Sequence, residues 1–353
     1  MIYVRGNRPT IGPFLGCDWV QCSDITGMDQ GRPDALLQRL SEYLALELKF
    51  KPNLQLPVCS PGGEVTVGIR DGTANVLRCL KVWYDMPPEV LFVAVNLVDR
   101  FLTKMKARPK HMACIAIASF QLSCSLVCGG APGSPPVPEA AEVAAISQCK
   151  CTPGDLHRMQ TIITSKLGVG VHDGAAPITA VDFLRVFHQL FLSVDQGQVY
   201  ARMVDGAELC QKLEIVACDA AVSNFRPCEI ALVVICATMD AGVSRLEHRP
   251  NSDDVLAVVN FATQLQQLCK IEESSFYECH EAVLMIIGRY NSQRQMPNRQ
   301  RLVWKLSHRT LRYLRPTDKL VTTLPTITEH SLSPARADST SEEDSWSGDE
   351  WSI

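Results

Sequence analysis

The stretch Glu89-Val-Leu-Phe-Val-Ala-Val-Asn96-Leu-Val-Asp99-Arg-Phe-Leu102 decides how this sequence folds. Wound as a helix, it is apolar around most of the cylinder: Val90 to Val95, Leu97, Val98, Phe101 and Leu102. Only a narrow polar stripe of Glu89, Asn96, Asp99 and Arg100 remains. A helix with so little polar surface must be surrounded by other helices. Pro87 and Pro88 open it, and the pattern runs to about Lys106.

Helical periodicity spreads from this segment in both directions. Upstream, Leu36, Leu37, Leu40, Leu44 and Leu48 predict a helix over 34–50, and a second spans about Ile69 to Tyr84. Residues 51–68 between them, with Pro52, Pro57, Pro61 and Gly62-Gly63, read as a linker, and 1–33 as a loose segment. Downstream, Lys110 to about Leu126 is a helix rich in small residues (Ala113, Ala116, Ala118, Ser119, Ser123), which lets neighbouring backbones approach closely. Gly129 to Pro138 is loop, and Glu139 to Gln148 a short helix. The next helix has a full start signal: Thr152 as N-cap, Pro153 at the first position and Asp155 three residues after the cap. Leu156, Met159, Ile162, Ile163 and Leu167 form its buried stripe, and Gly168 stops it.

A second set opens near Thr179 with a helix carrying Phe183, Leu184, Phe187, Leu190 and Phe191. Leu209–Val222, Pro227–Ala241, Asp253–Lys270 and Phe276–Tyr290 follow, and strand alternation is nearly absent. The expected class is all-α: two groups of about five helices over 69–170 and 177–294, a basic arm over 295–330 and an acidic disordered tail over 331–353. Period and count alone also admit other helical bundles or a solenoid.

Composition narrows the function. At 353 residues the chain can hold two domains, and 46% hydrophobic residues exclude a mostly disordered protein. A net charge of −4 gives no global reason to bind nucleic acid or an anionic membrane. Fifteen cysteines are an odd number, scattered through apolar helical stretches (Cys79, Cys114, Cys236, Cys269). They read as small buried hydrophobes of a reducing compartment. Nothing resembling a signal segment opens the chain, and the longest apolar run, Ile230–Met239, is about half a bilayer span. Nucleus and cytoplasm are the expected compartments. No phosphate-cradling glycine loop or nucleophile elbow occurs, so no enzyme activity and no cofactor are expected. Cys124, Cys128, Cys149 and Cys151 flank one loop and are a conceivable zinc set, but their C-x₃-C and C-x-C spacings are weak for it. No metal is expected.

The 89–102 segment resembles the second helix of the cyclin box. In that family an Arg on the first helix pairs with the Asp of this run, and Arg70 and Asp99 stand at the family's separation. An Arg–carboxylate pair between packed helices fixes their register and satisfies both groups bidentately. The junction Phe101-Leu-Thr-Lys-Met-Lys-Ala-Arg-Pro-Lys-His-Met-Ala-Cys114 is similar to G-type cyclins, as are Pro297-Asn-Arg-Gln-Arg-Leu-Val-Trp304, Arg309-Thr310 and Leu324-Pro-Thr-Ile327. Cyclin I is the nearest alternative; the C-terminal run favours the G type. The resemblance covers about residues 34–330 and implies tandem five-helix cyclin-box folds.

It also implies partners. Kinase-activating cyclins present helices three and five of the box, anchored by a Lys and a Glu. Here those positions fall on Ser125 and Gln160, the latter in Arg158-Met159-Gln160, so both charges are absent. Lys150 or Lys166 is the alternative cation. The interface candidates are Glu89, Cys114, Ser125, Arg158 and Gln160. The family's substrate-docking patch on helix one looks eroded, since Asp71, Gly72 and Thr73 follow Arg70; Val76 and Leu77 are the alternative patch residues. A cyclin-dependent protein kinase, bound weakly, is the first expected partner. The G type also implies a protein phosphatase 2A regulatory subunit or an auxilin-like kinase.

The two ends differ in charge. Nine Lys/Arg lie between Arg289 and Lys319 against one acid, Asp318. Arg301, Lys305, Arg309 and Arg312 fall near one helical face, a docking arm for an acidic partner. With few interleaved aromatics, nucleic acid is not expected. The tail from Ser339 to Trp351 places hydroxyls just before carboxylates, so Ser339, Ser341 and Ser345 are candidate phosphorylation sites. With Pro334 upstream, it resembles a degradation-promoting segment.

Overall fold

Helix α3 (Pro88–Lys104) carries the decisive stretch, and its side chains from Val90 to Val95 and from Leu97 to Phe101 are all buried. In this computed structural model residues 33–291 are described, apart from 61, 130–132, 170–175, 196–197 and 247–250. Around α3 stand α2 (Val67–Trp83), α4 (Met112–Cys128) and α6 (Pro153–Leu167), with the short α5 (Ala140–Ser147) against α4 and α6. A second set comprises α7 (Ala180–Val194), α8 (Val199–Met203), α9 (Gly206–Ala217), α10 (Pro227–Val243), α11 (Ser252–Leu268) and α12 (Glu273–Asn291). Its central helix is α10, which touches each of the other five. Among the described residues there is no strand.

Local chemistry sets the boundaries. Thr152 and Asp155 form the expected capping box: the Thr152 hydroxyl accepts from the Asp155 N–H at 3.2 Å, and Asp155 accepts from the Thr152 N–H at 3.0 Å. Gly168 ends α6 at φ +65°, which a side chain resists. Helix α4 starts after a 3₁₀ turn at Pro109–His111 and is buried along most of its length. Its small residues let α2, α3 and α6 close on it. The stretch Pro109–Cys128 is long and apolar enough to cross a bilayer by composition, but 72% of it is buried inside the protein, and its apolarity serves the core.

Two expectations need correction. Leu209–Val222 is not one helix: α9 stops at Ala217, and Asp219 then caps a separate 3₁₀ turn by accepting from the Ala221 N–H at 3.0 Å. Helix α8 was also not expected. It is only five residues long, too short for a period, although Val199, Tyr200 and Met203 are buried.

Helix α1 (Pro33–Phe50) precedes the first set but packs on α7 and α10 of the second. Leu40 enters the second core, and Tyr43 meets Phe183 edge-on at 5.7 Å. The leucine series that predicts this helix divides between its faces, with Leu37 and Leu48 facing outward. Glu47 is fully buried beneath this helix. It accepts from Arg226 Nε at 2.8 Å and also pairs with Arg226 Nη2, while Arg226 Nη1 donates to the carbonyls of Cys269 and Lys270 at 2.9 and 3.1 Å. One ion pair thus ties α1 to the start of α10 and the end of α11.

Candidate functional site

Arg70 on α2 is 2% exposed and grips Asp99 on α3 with two bonds, Nε–Oδ1 at 2.8 Å and Nη2–Oδ2 at 2.5 Å. Nη2 also donates to the Ala217 carbonyl at the end of α9, at 3.3 Å. Beside it, Asp71 accepts from Arg70 Nη1 at 3.4 Å and from the Ala220 N–H at 2.8 Å. Burial works against the guanidinium charge, but Asp99 with help from Asp71 more than offsets this and lifts the pKa above the ordinary arginine value. Around this centre, Lys81 reaches Glu214 at 2.8 Å and Arg289 reaches Asp219 at 3.2 Å. The pair that joins α2 to α3 therefore also joins the first helix set to the second.

The α4–α6 face is organised by a residue that sequence reading missed. Gln121, on α4, accepts from Gln160 Nε2 at its Oε1 (3.1 Å) and donates from Nε2 to the Pro138 carbonyl (3.2 Å). Its backbone carbonyl accepts from the Ser125 hydroxyl at 3.1 Å. Ser125 and Gln160 thus both spend their polar groups on Gln121, and neither places a charge on the surface. Arg158 is exposed one turn along α6. Lys150 follows Cys149, which lies against the first turns of α4 rather than near Ser125, and Lys166 is exposed on the last turn of α6.

Two interface candidates do not face outward. Cys114 is 1% exposed, so its side chain presents nothing to a partner. Glu89 pairs with Arg185 of α7 and bridges the two helix sets.

The helix-one stretch after Arg70, where the docking patch looks eroded, lines a pocket. It has a volume of about 250 Å³ and is walled by Ile69, Gly72, Thr73 and Val76 of α2 and by Met112, Ala113, Ala116 and Ile117 of α4. Its apolar walls come largely from α4, which a reading of α2 alone overlooks. Of the two alternative patch residues only Val76 faces the pocket, since Leu77 is fully buried. A Cβ on Gly72 would meet nothing within 4 Å.

The described cysteines are all free. Cys149 and Cys151 gather with Cys114 at the start of α4, whereas Cys124 and Cys128 lie on its last turns, so the four flanking the loop do not converge. Burial raises the thiols of Cys114, Cys149 and Cys151 to about 11, 12 and 11, keeping them protonated at neutral pH. Among the described residues no group of three His, Cys, Asp or Glu side chains is arranged to hold a metal ion. Arg301, Lys305, Arg309 and Arg312, and Ser339, Ser341 and Ser345, lie outside the described residues.

Comparison with known proteins bears on what this arrangement belongs to. The family described as "Cyclin, N-terminal domain" matches residues 39–171. The chain is 43% identical over 302 residues to Cyclin G of Drosophila melanogaster, covering 84% of this chain and 52% of that protein, so it spans about half that relative's length. It is 30% identical over 303 residues to Cyclin-G2 of Homo sapiens, covering 83% of this chain and 81% of that protein. Among solved structures, a viral cyclin from herpesvirus saimiri aligns with a TM-score of 0.48 at 16% identity, over 72% of this chain and 99% of that one.

Proposed function

The chain belongs to the cyclin family and is of the G type, and from that premise we propose that it is a non-catalytic regulatory subunit that binds a cyclin-dependent serine/threonine kinase through α4, α5 and α6. It acts in cell-cycle control, in nucleus and cytoplasm. The observation that carries this reading is the α4–α6 face itself. The two helices pack side by side, and the polar groups at Ser125 and Gln160 are satisfied through Gln121. No charge is stranded there, so the face supports contact by shape and apolar burial, without the two ionic anchors that give other cyclins their hot spots. Binding is correspondingly weak.

Titration of purified kinase against this protein tests the reading. Ser125→Lys/Gln160→Glu, which restores both charges, is expected to tighten binding by about tenfold or more. Full kinase activation by the wild type at ordinary cyclin concentrations would overturn the weak-binding claim.

The same neutral face favours a second reading, an adaptor that recruits a protein phosphatase 2A regulatory subunit or another kinase. Affinity purification of wild type and double variant, followed by mass spectrometry, separates the two. A kinase recovered with the double variant alone supports the adaptor.

A further inference from the structure

Helix α12 leads directly into the basic arm, and one of its faces is left open among the described residues. Cys279, Val283 and Ile286 point inward and are buried in the second core. On the opposite side Tyr277, Glu281, Leu284 and Gly288 follow one another at successive turns, with Glu278 and Met285 beside them. Tyr277 is 62% exposed, Leu284 48% and Met285 57%, and both glutamates are exposed as well. A surface helix ordinarily keeps its outer face polar, so three large apolar side chains on that face mark an interface. Gly288 adds to this. A Cβ there would meet nothing within 4 Å, so the described residues give no reason for a glycine inside the helix. Its missing side chain leaves room for another backbone to come close.

The sequence that follows α12 fits this face. Asn298 suits a helix N-cap and Pro316 a stop, so 299–315, which lies outside the described residues, reads as one helix. Arg301, Lys305, Arg309 and Arg312 run along one edge of it, and Leu302, Leu306 and Tyr313 lie alongside them. A basic edge with apolar neighbours thus answers an acidic face with apolar neighbours. Residues 292–297 are left as the connection, within the range of about 2–8 residues that joins antiparallel helices. Closing a hairpin there also sets the register. Counted along both helices from the turn, Leu302 comes level with Met285, Lys305 with Glu281 and Arg309 with Glu278, each to within a turn.

We propose that residues 299–315 fold back as an antiparallel helix onto the outer face of α12, with Lys305 and Arg309 set against Glu281 and Glu278. The acidic partner that suits the arm is then this chain's own α12, and an external acidic protein reaches the arm only by displacing it. Exposed ion pairs contribute little stability, so the pairs fix the register while burial of Tyr277, Leu284 and Met285 supplies most of the hold. The docking does not rest on kinase binding, since α12 belongs to the second helix set and the α4–α6 face to the first.

Hydrogen exchange of the full chain, read by mass spectrometry, tests this. Amides of 299–315 are expected to exchange about tenfold or more slowly than those of an unfolded chain. Glu278→Lys/Glu281→Lys sets like charges against the arm and is expected to remove most of that protection. Adding Lys305→Glu/Arg309→Glu restores opposite charges and is expected to bring it back. Leu284→Ser/Met285→Ser is expected to remove the protection with no change of charge. All four α12 positions are exposed, so exchange in α10 is expected to be the same in every variant. Exchange of 299–315 at unfolded-chain rates in the wild type overturns the proposal, as does protection that survives the charge reversal. Protection that is lost on dilution places the arm on a second copy and overturns it too.

Discussion

Arg70 and the Ala217 carbonyl are 3.3 Å apart, so the guanidinium that holds Asp99 within the first helix set also ends a helix of the second. One side chain therefore serves two interfaces. Asp99→Asn would leave a buried guanidinium short of its counter-charge, and such losses cost about 3–5 kcal/mol. Urea denaturation of this variant is expected to show that loss in a single transition, because both interfaces fail together. Arg70→Met/Asp99→Leu removes both charges and is expected to recover most of it.

Gln121 predicts an asymmetry between the two interface substitutions. Gln160→Glu would aim a carboxylate at the Gln121 Oε1 atom, and turning the Gln121 amide to meet it would break the bond to the Pro138 carbonyl. A cost of about 1–2 kcal/mol is expected for Gln160→Glu alone. Ser125→Lys only gives up a hydroxyl bond to its own helix and is expected to be near neutral. Thermal melts of the single variants decide this.

The capping boxes that start α6 (Thr152 with Asp155) and α7 (Thr179 with Asp182) respond to pH in opposite senses. Hydrogen bonds from Thr152 hold Asp155 below the ordinary value of 3.8. Its contribution is present above 3.8 and is lost as the pH falls through the lower folded-state value. Burial pushes Asp182 above 3.8, despite the bonds from the Thr179 N–H and hydroxyl. Its contribution is present below 3.8 and is lost as the pH rises through the higher folded-state value. Carboxyl chemical shifts followed by NMR are expected to titrate in that order, Asp155 below Asp182. Thr152→Ala is expected to cost about 1 kcal/mol at neutral pH.

Gly72 sits inside α2 with open space where its Cβ would be. Gly72→Ala is expected to stabilise the protein by about 0.5–1 kcal/mol, because a helix-interior glycine carries that entropy penalty. Denaturation measures it, and a crystal structure of the variant is expected to show a smaller pocket.

What was legible in the sequence was whatever chemistry is local or wraps a whole helix. Helix α3 could be read because its apolar residues leave no face for water, and the start of α6 because Thr152, Pro153 and Asp155 signal it within four residues. Glu47 could not, since a carboxylate on a leucine-rich helix looks like solvated surface until its partner, 179 residues away, is seen. Gln121 was hidden for the same reason, as its contact with Gln160 spans 39 residues. Arg100 was counted in the polar stripe of α3, and only burial against Leu167 and Phe50 separates it from Asp99.

Helix α1 also constrains the order of events on the ribosome. Its leucines and Glu47 are made first, yet their docking surface is completed only when α10 and α11 emerge. Until then α1 must wait, with apolar residues uncovered, while the first helix set folds around α3 without it. A fragment ending before α10 is therefore expected to engage chaperones that bind exposed leucines. A separately supplied peptide of residues 33–50 would be expected to find its place on a second set synthesised without it.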